Sequence, residues 1–137
     1  RRGDLAEAAR RYGRILEDDP QDAGALVRLG VVQIRGGRTD EAVALFRRAV
    51  ELQPDNAEAL TDLAAALAKA GRPAEAIPYF ERALAAGART TAVLNGLGFA
   101  RLEAGDEKGA LAALSASLSL DRRQPGVADE ARRLSGR

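Results

Sequence analysis

A register of 34 residues runs through this chain and constrains its fold more than any other feature. Ala8, Ala42, Ala76 and Ala110 recur at that step, as do Gly3, Gly37, Gly71 and Gly105. Leu26, Leu60 and Leu94 follow it, with Leu29, Leu63 and Leu97, and a large side chain returns at Tyr12, Phe46, Phe80 and Leu114. Strand-like alternation is missing inside the period. Such a repeat describes a solenoid, in which each unit buries its apolar face only by stacking on the next.

Inside one period the apolar residues step at three and four, the spacing of a helix face. Leu26, Leu29, Gly30 and Gln33 predict a first helix over about 22–36, ended by Gly36 and Gly37. Ala42, Val43, Phe46, Ala49 and Val50 predict a second over about 39–52, and Pro54 closes the unit because proline fits just after a helix but not within it. The same design recurs over 57–90 and 91–124. Asp55 and Asn56 offer capping side chains to the next helix, with Glu58 as a box partner for Asp55. Pro73 suits a first helical position, whereas Pro78 lies deeper and predicts a local bend. Ala88 after Gly87 stands where the first unit has Pro54, so that closing turn is expected to differ. Ser117 and Arg122 mark a weakened last unit, and Val127, Ala131 and Leu134 predict a short capping helix within 125–137. At the other end, 1–22 reads as the second half of a unit, with a helix over 4–18. Its apolar residues Leu5, Ala9, Tyr12 and Leu16 are expected to lie uncovered, and self-association through this helix follows. With no Met in the chain, a fragment of a longer protein or a processed product is expected.

These residues resemble the tetratricopeptide repeat (TPR) family, whose helix–turn–helix consensus is W-x₂-L-G-x₂-Y, then Gly, then A-x₃-F-x₂-A and a closing Pro. Leu26, Leu29, Gly30, Gln33, Gly37, Ala42, Phe46, Ala49 and Pro54 carry the match, with Leu for the first aromatic in every unit and Gln33, Leu67 and Arg101 at the Tyr position. The resemblance spans nearly the whole chain. It implies an all-α, right-handed solenoid of antiparallel helix pairs with a C-terminal cap, read as one domain over 1–137 with units 1–22, 23–56, 57–90 and 91–124 and the capping segment 125–137. It also implies that the first helices line a concave groove that holds a segment of a partner protein.

By that resemblance the groove is lined by Val27, Val31, Ile34 and Arg35 in the first full unit, by Thr61, Ala65, Ala68 and Lys69 in the second, and by Asn95, Phe99, Leu102 and Glu103 in the third. Val31, Ala65 and Phe99 are equivalent, and the small Ala65 between two larger residues predicts a depression for an apolar ligand side chain. Phe99 is the expected anchor, Asn95 a donor to ligand backbone, and Arg35 and Lys69 orienting charges. Relatives that grip a C-terminal carboxylate use Lys, Asn and Arg where this chain has Val27, Val31, Asp62, Ala92 and Gly96. That clamp is missing, and Asp62 opposes an anion.

Chemistry is scarce. His and Cys are absent, which removes the common acid–base, thiolate and zinc constellations. Ser115, Ser117 and Ser119 read as small packing residues, and Gly96-Leu97-Gly98 fails as a dinucleotide loop because Arg101 occupies the third Gly position. No cofactor is expected. The 21 basic and 20 acidic residues leave a net charge of +1, so no field draws nucleic acid, and Arg10–Arg11, Arg47–Arg48 and Arg132–Arg133 read as solvated helix faces. No apolar run reaches the roughly 20 residues of a membrane span. Nineteen Arg against two Lys point to a GC-rich bacterial genome, and the compartment is left open. The expected function is a protein-interaction module that binds an apolar or amphipathic segment in its groove; the alternative is a structural or regulatory appendage packed on an upstream domain.

Overall fold

The computed structural model describes residues 1–136; Arg137, the last residue of the expected capping segment, lies outside them. Eight helices and no strand occur among the described residues: α1 (Arg2–Asp18), α2 (Ala23–Arg35), α3 (Thr39–Leu52), α4 (Ala57–Lys69), α5 (Pro73–Ala85), α6 (Thr91–Glu103), α7 (Glu107–Leu120) and α8 (Pro125–Ser135). Each helix packs on its chain neighbours, with the pairs α2–α3, α4–α5 and α6–α7 closest. First helices also touch one another, α2 against α4 and α4 against α6, while the second helices α3, α5 and α7 make no comparable contact. The array therefore curves with α2, α4 and α6 on the inside.

Local chemistry sets the helix ends. Asp22, Asn56, Thr90 and Asp106 accept a backbone N–H three residues ahead at the starts of α2, α4, α6 and α7. Asn56, not Asp55, is the cap of α4, so the Asp55–Glu58 box is not formed. Gly37, Gly71 and Gly105 carry positive φ (78°, 77° and 90°), a region costly to side chains with a Cβ, and the N–H of the next residue reaches back to Gln33, Leu67 and Arg101. Gly3 departs from this register: it lies within α1, which begins at Arg2, earlier than predicted. The closing turn after α5 does differ from that after α3. Gly87 takes φ 97° and Ala88 donates to the Ala83 carbonyl, whereas α3 ends on Gln53 at a negative φ of −135°. α5 runs through Pro78, which lies on its exposed side.

Leu26, Leu60, Leu63, Leu67, Phe46, Phe80 and Leu97 join the small Ala42, Ala64, Ala76 and Ala83 in one core that runs from α2 to α7. Ala110, Leu114, Val127, Ala131 and Leu134 form a second cluster under α8. α8 keeps Asp129, Arg132 and Arg133 outward, where Arg132 pairs with Asp129 and Arg133 with Glu130. α1 contrasts with it. No residue of α1 is buried; Leu5, Ala9, Tyr12 and Leu16 are half-covered and Ile15 is exposed.

The arginine pair of α3 is more than a solvated face. Arg48 donates to the Pro20 carbonyl at 2.8 Å, and one period later Arg82 donates to the Pro54 carbonyl at 3.2 Å. Arg47 reaches Glu75 and the Tyr79 hydroxyl on α5. Long side chains thus tie the outer helices where their backbones do not meet.

Candidate groove site

Two phenylalanines at the same register position determine the shape of the inner face. The ring of Phe46 lies against Gly30 of its own first helix; a Cβ there would sit 2.4 Å from a ring carbon. In the next unit the corresponding residue is Ala64, whose methyl occupies that space. Phe80 instead lies against Gly96 of the following first helix, where a Cβ would again be 2.4 Å from the ring. The residue equivalent to Gly96 one period earlier is Asp62, which bars Phe46 from the same seat. The two rings are buried alike but do not fill equivalent spaces, which corrects what the periodicity alone suggests.

The result is a hollow of about 240 Å³ between α2 and α4, lined by Val31, Ile34, Arg35, Phe46, Asp62, Ala65, Ala66 and Lys69. Five of its walls are apolar. Asp62 is half-buried and makes no hydrogen bond or ion pair among the described residues. Burial pushes its carboxyl up to about 6, and the neighbouring charge of Glu58, one turn earlier on α4, adds to the rise. Arg35 and Lys69 stand at the rim, exposed to solvent.

The residues expected in the groove divide by what they touch. Val31, Ile34, Arg35, Ala65 and Lys69 meet in the hollow. Phe99 stands on α6 beyond it, 37% exposed. Thr61 is half-buried and turns its hydroxyl back to the Ala57 carbonyl at 2.7 Å. Ala68 packs on the main core and Leu102 on the cluster under α8. Val27 is 3% exposed and belongs to the core, because α1 packs over this part of α2. The Asn95 amide is already paired within the protein: it donates to Gln124 Oε1 at 2.7 Å, and Gln124 in turn donates to Ser117 Oγ and the Ser117 and Asp121 carbonyls. The buried Asn95 Oδ1 has no partner in this network. Residues 95, 117 and 124 belong to three segments, and nothing in their spacing announced the contact.

Phe46 and Ala66 are lining residues that the sequence left unannounced, and Asp62 was expected only at the place of the missing carboxylate clamp, as a charge that opposes an anion. A signal for Asp62 existed: it is an acid between Leu60 and Leu63, at a position where the other units carry Arg28 and Gly96. Among the described residues no cluster of three or more His, Cys, Asp or Glu side chains is placed to hold a metal ion, and no helix is long and apolar enough to cross a membrane.

A curved stack of antiparallel helix pairs with an open inner face defines a helical-repeat solenoid. Three family models described as tetratricopeptide repeat match residues 1–57, 45–77 and 67–131, and the chain belongs to that family. No curated protein matches the sequence. Among solved structures, the crystal structure of MamA protein superposes with a TM-score of 0.90 at 24% identity, covering 98% of this chain and 75% of its own. YrrB, described as a TPR protein with an unusual peptide-binding site, gives 0.84 at 21% identity over 92% of this chain and 65% of its own. The first TPR domain of human RPAP3 gives 0.75 at 23%, covering 85% and 92%. At these identities the likeness is one of fold.

Proposed function

We propose that the chain is a non-catalytic protein-interaction module that holds an apolar or amphipathic segment of a partner along α2, α4 and α6. The observation that carries this reading is the column Val31, Ala65 and Phe99, with a hollow at the small residue and an exposed aromatic beyond it. Exposed apolar side chains gathered on a concave face are where partner side chains gain most from leaving water. Phe99 is the anchor in this reading, with Val31, Ile34 and Ala65 as the floor and Arg35 and Lys69 setting orientation.

The test uses random peptides displayed on phage and selected on this chain, followed by calorimetric titration of the enriched sequences. Phe99→Ala is expected to weaken binding by about 2 kcal/mol, the loss of a central aromatic contact. Lys108→Ala, on the exposed surface of α7, is expected to change nothing. Equal affinities for both variants and the parent overturn the groove as the site.

A further inference from the structure

We propose that the hollow between α2 and α4 selects a basic side chain: a Lys or Arg of the partner segment whose methylene stem lies on Val31, Ile34, Phe46 and Ala65 and whose charged head pairs with Asp62. This rests on the groove reading above and narrows its partner to a basic amphipathic segment.

Asp62 is held half-buried on the wall of an otherwise apolar cavity, and no cation of the protein pairs with it among the described residues. Glu58 of the same helix, whose charge acts on it, has the same sign. From α2 the charged group facing the cavity is Arg35, and from α4 it is Lys69; both are exposed and free to turn to water, and neither offsets the carboxyl's burial. α3 contributes only the Phe46 ring.

A purely apolar ligand side chain entering here strips the remaining water from the carboxylate and leaves it unpaired, which opposes binding. A ligand carboxylate adds repulsion. Lys and Arg alone combine an apolar stem with a cationic head, the pairing of surfaces that the hollow presents. The hollow's volume suits one side chain, not a helix. Asp62 therefore acts as a filter as well as a contact, since it penalises the wrong occupant and favours the right one.

Peptides enriched on the parent chain at neutral pH are expected to carry Lys or Arg beside an aliphatic or aromatic residue. Replacing that basic residue by norleucine, or Asp62 by Asn, is expected to weaken binding about tenfold each, with little further loss when both are made, because the two changes remove one interaction. Asp62→Asn keeps the shape of the side chain, so a folded protein is retained. Enriched peptides without a basic residue, or losses that add independently, overturn the inference. The groove reading stands apart from it: if those peptides are still blocked by Ala65→Trp, which fills the hollow from an exposed position, the groove survives and the charge filter does not. If Ala65→Trp leaves binding unchanged, or no sequence is enriched, both fall.

Discussion

The junction between α2 and α4 and the junction between α4 and α6 are built from the same register yet differ in what they leave open. At the second, Phe80 turns forward onto Gly96 and fills the space between units. At the first, Phe46 turns back onto Gly30, Asp62 stands where Gly96 stands one period later, and a hollow of about 240 Å³ opens to solvent. Two residues per junction account for the difference: Gly30 with Asp62 in one, Ala64 with Gly96 in the other. A repeat protein can thus keep its fold while changing its surface, because a buried ring needs one small neighbour and accepts it on either side. The filled junction contributes stability. The open one leaves a hollow on the inner face.

The largest way to break this contrast is to empty the filled junction. Phe80→Ala is expected to cost about 3–5 kcal/mol, since the ring is 2% exposed and its removal leaves a cavity beside Gly96. Urea melts measure it, and a loss under about 1 kcal/mol would place the ring outside the core.

Next comes the direction of Phe46. Gly30→Ala puts a Cβ into its ring and is expected to cost about 1–3 kcal/mol, as overpacking does. In an Asp62→Gly background the ring gains the forward seat that Phe80 uses, and the same change is expected to cost about 1 kcal/mol less. A double-mutant cycle in urea reads this difference. A cycle that closes at zero would mean that position 62 does not control the ring.

Asp62 also gives the open junction a pH dependence. Its carboxyl is raised from 3.8 to about 6 in the fold, so between those values the folded chain keeps a proton that the unfolded chain has released. Stability therefore falls as pH rises through that window, and the loss is complete above it. Asp62→Asn is expected to abolish this component and to stabilise the chain at neutral pH by about 1 kcal/mol, solvent around the half-exposed carboxyl screening most of the formal effect. Groups that titrate in both proteins cancel when unfolding midpoints on either side of the window are compared. An identical pH profile for the two would show that the carboxyl is not strained by burial.

The smallest effect concerns what the junctions share. Arg48→Ala and Arg82→Ala each remove one exposed hydrogen bond to the preceding closing-turn carbonyl, and each is expected to cost about 0.5 kcal/mol, near the low end for such bonds. Equal losses would confine the difference between junctions to the inner face. Arg82 also lies 5.5 Å from the Tyr79 ring centre, so any excess on its side measures that contact.

Periodicity, Gly and Pro positions and capping residues determined the helix pairs, the turns at Gly37, Gly71 and Gly105, and the inward set of α8, because these depend on neighbours three to five residues away. The inner location of Val31, Ala65 and Lys69 followed from the resemblance, which rests on the same local pattern. Only the tertiary structure decided which way each phenylalanine turns, that Val27 is closed over by α1, that Asn95 is taken up by Gln124, and that Asp62 borders the hollow without a partner. Those outcomes are contests between side chains one period apart. A single methyl, Ala64 in place of Gly30, tips one of them, and no count of register positions reveals the winner until the helices are packed.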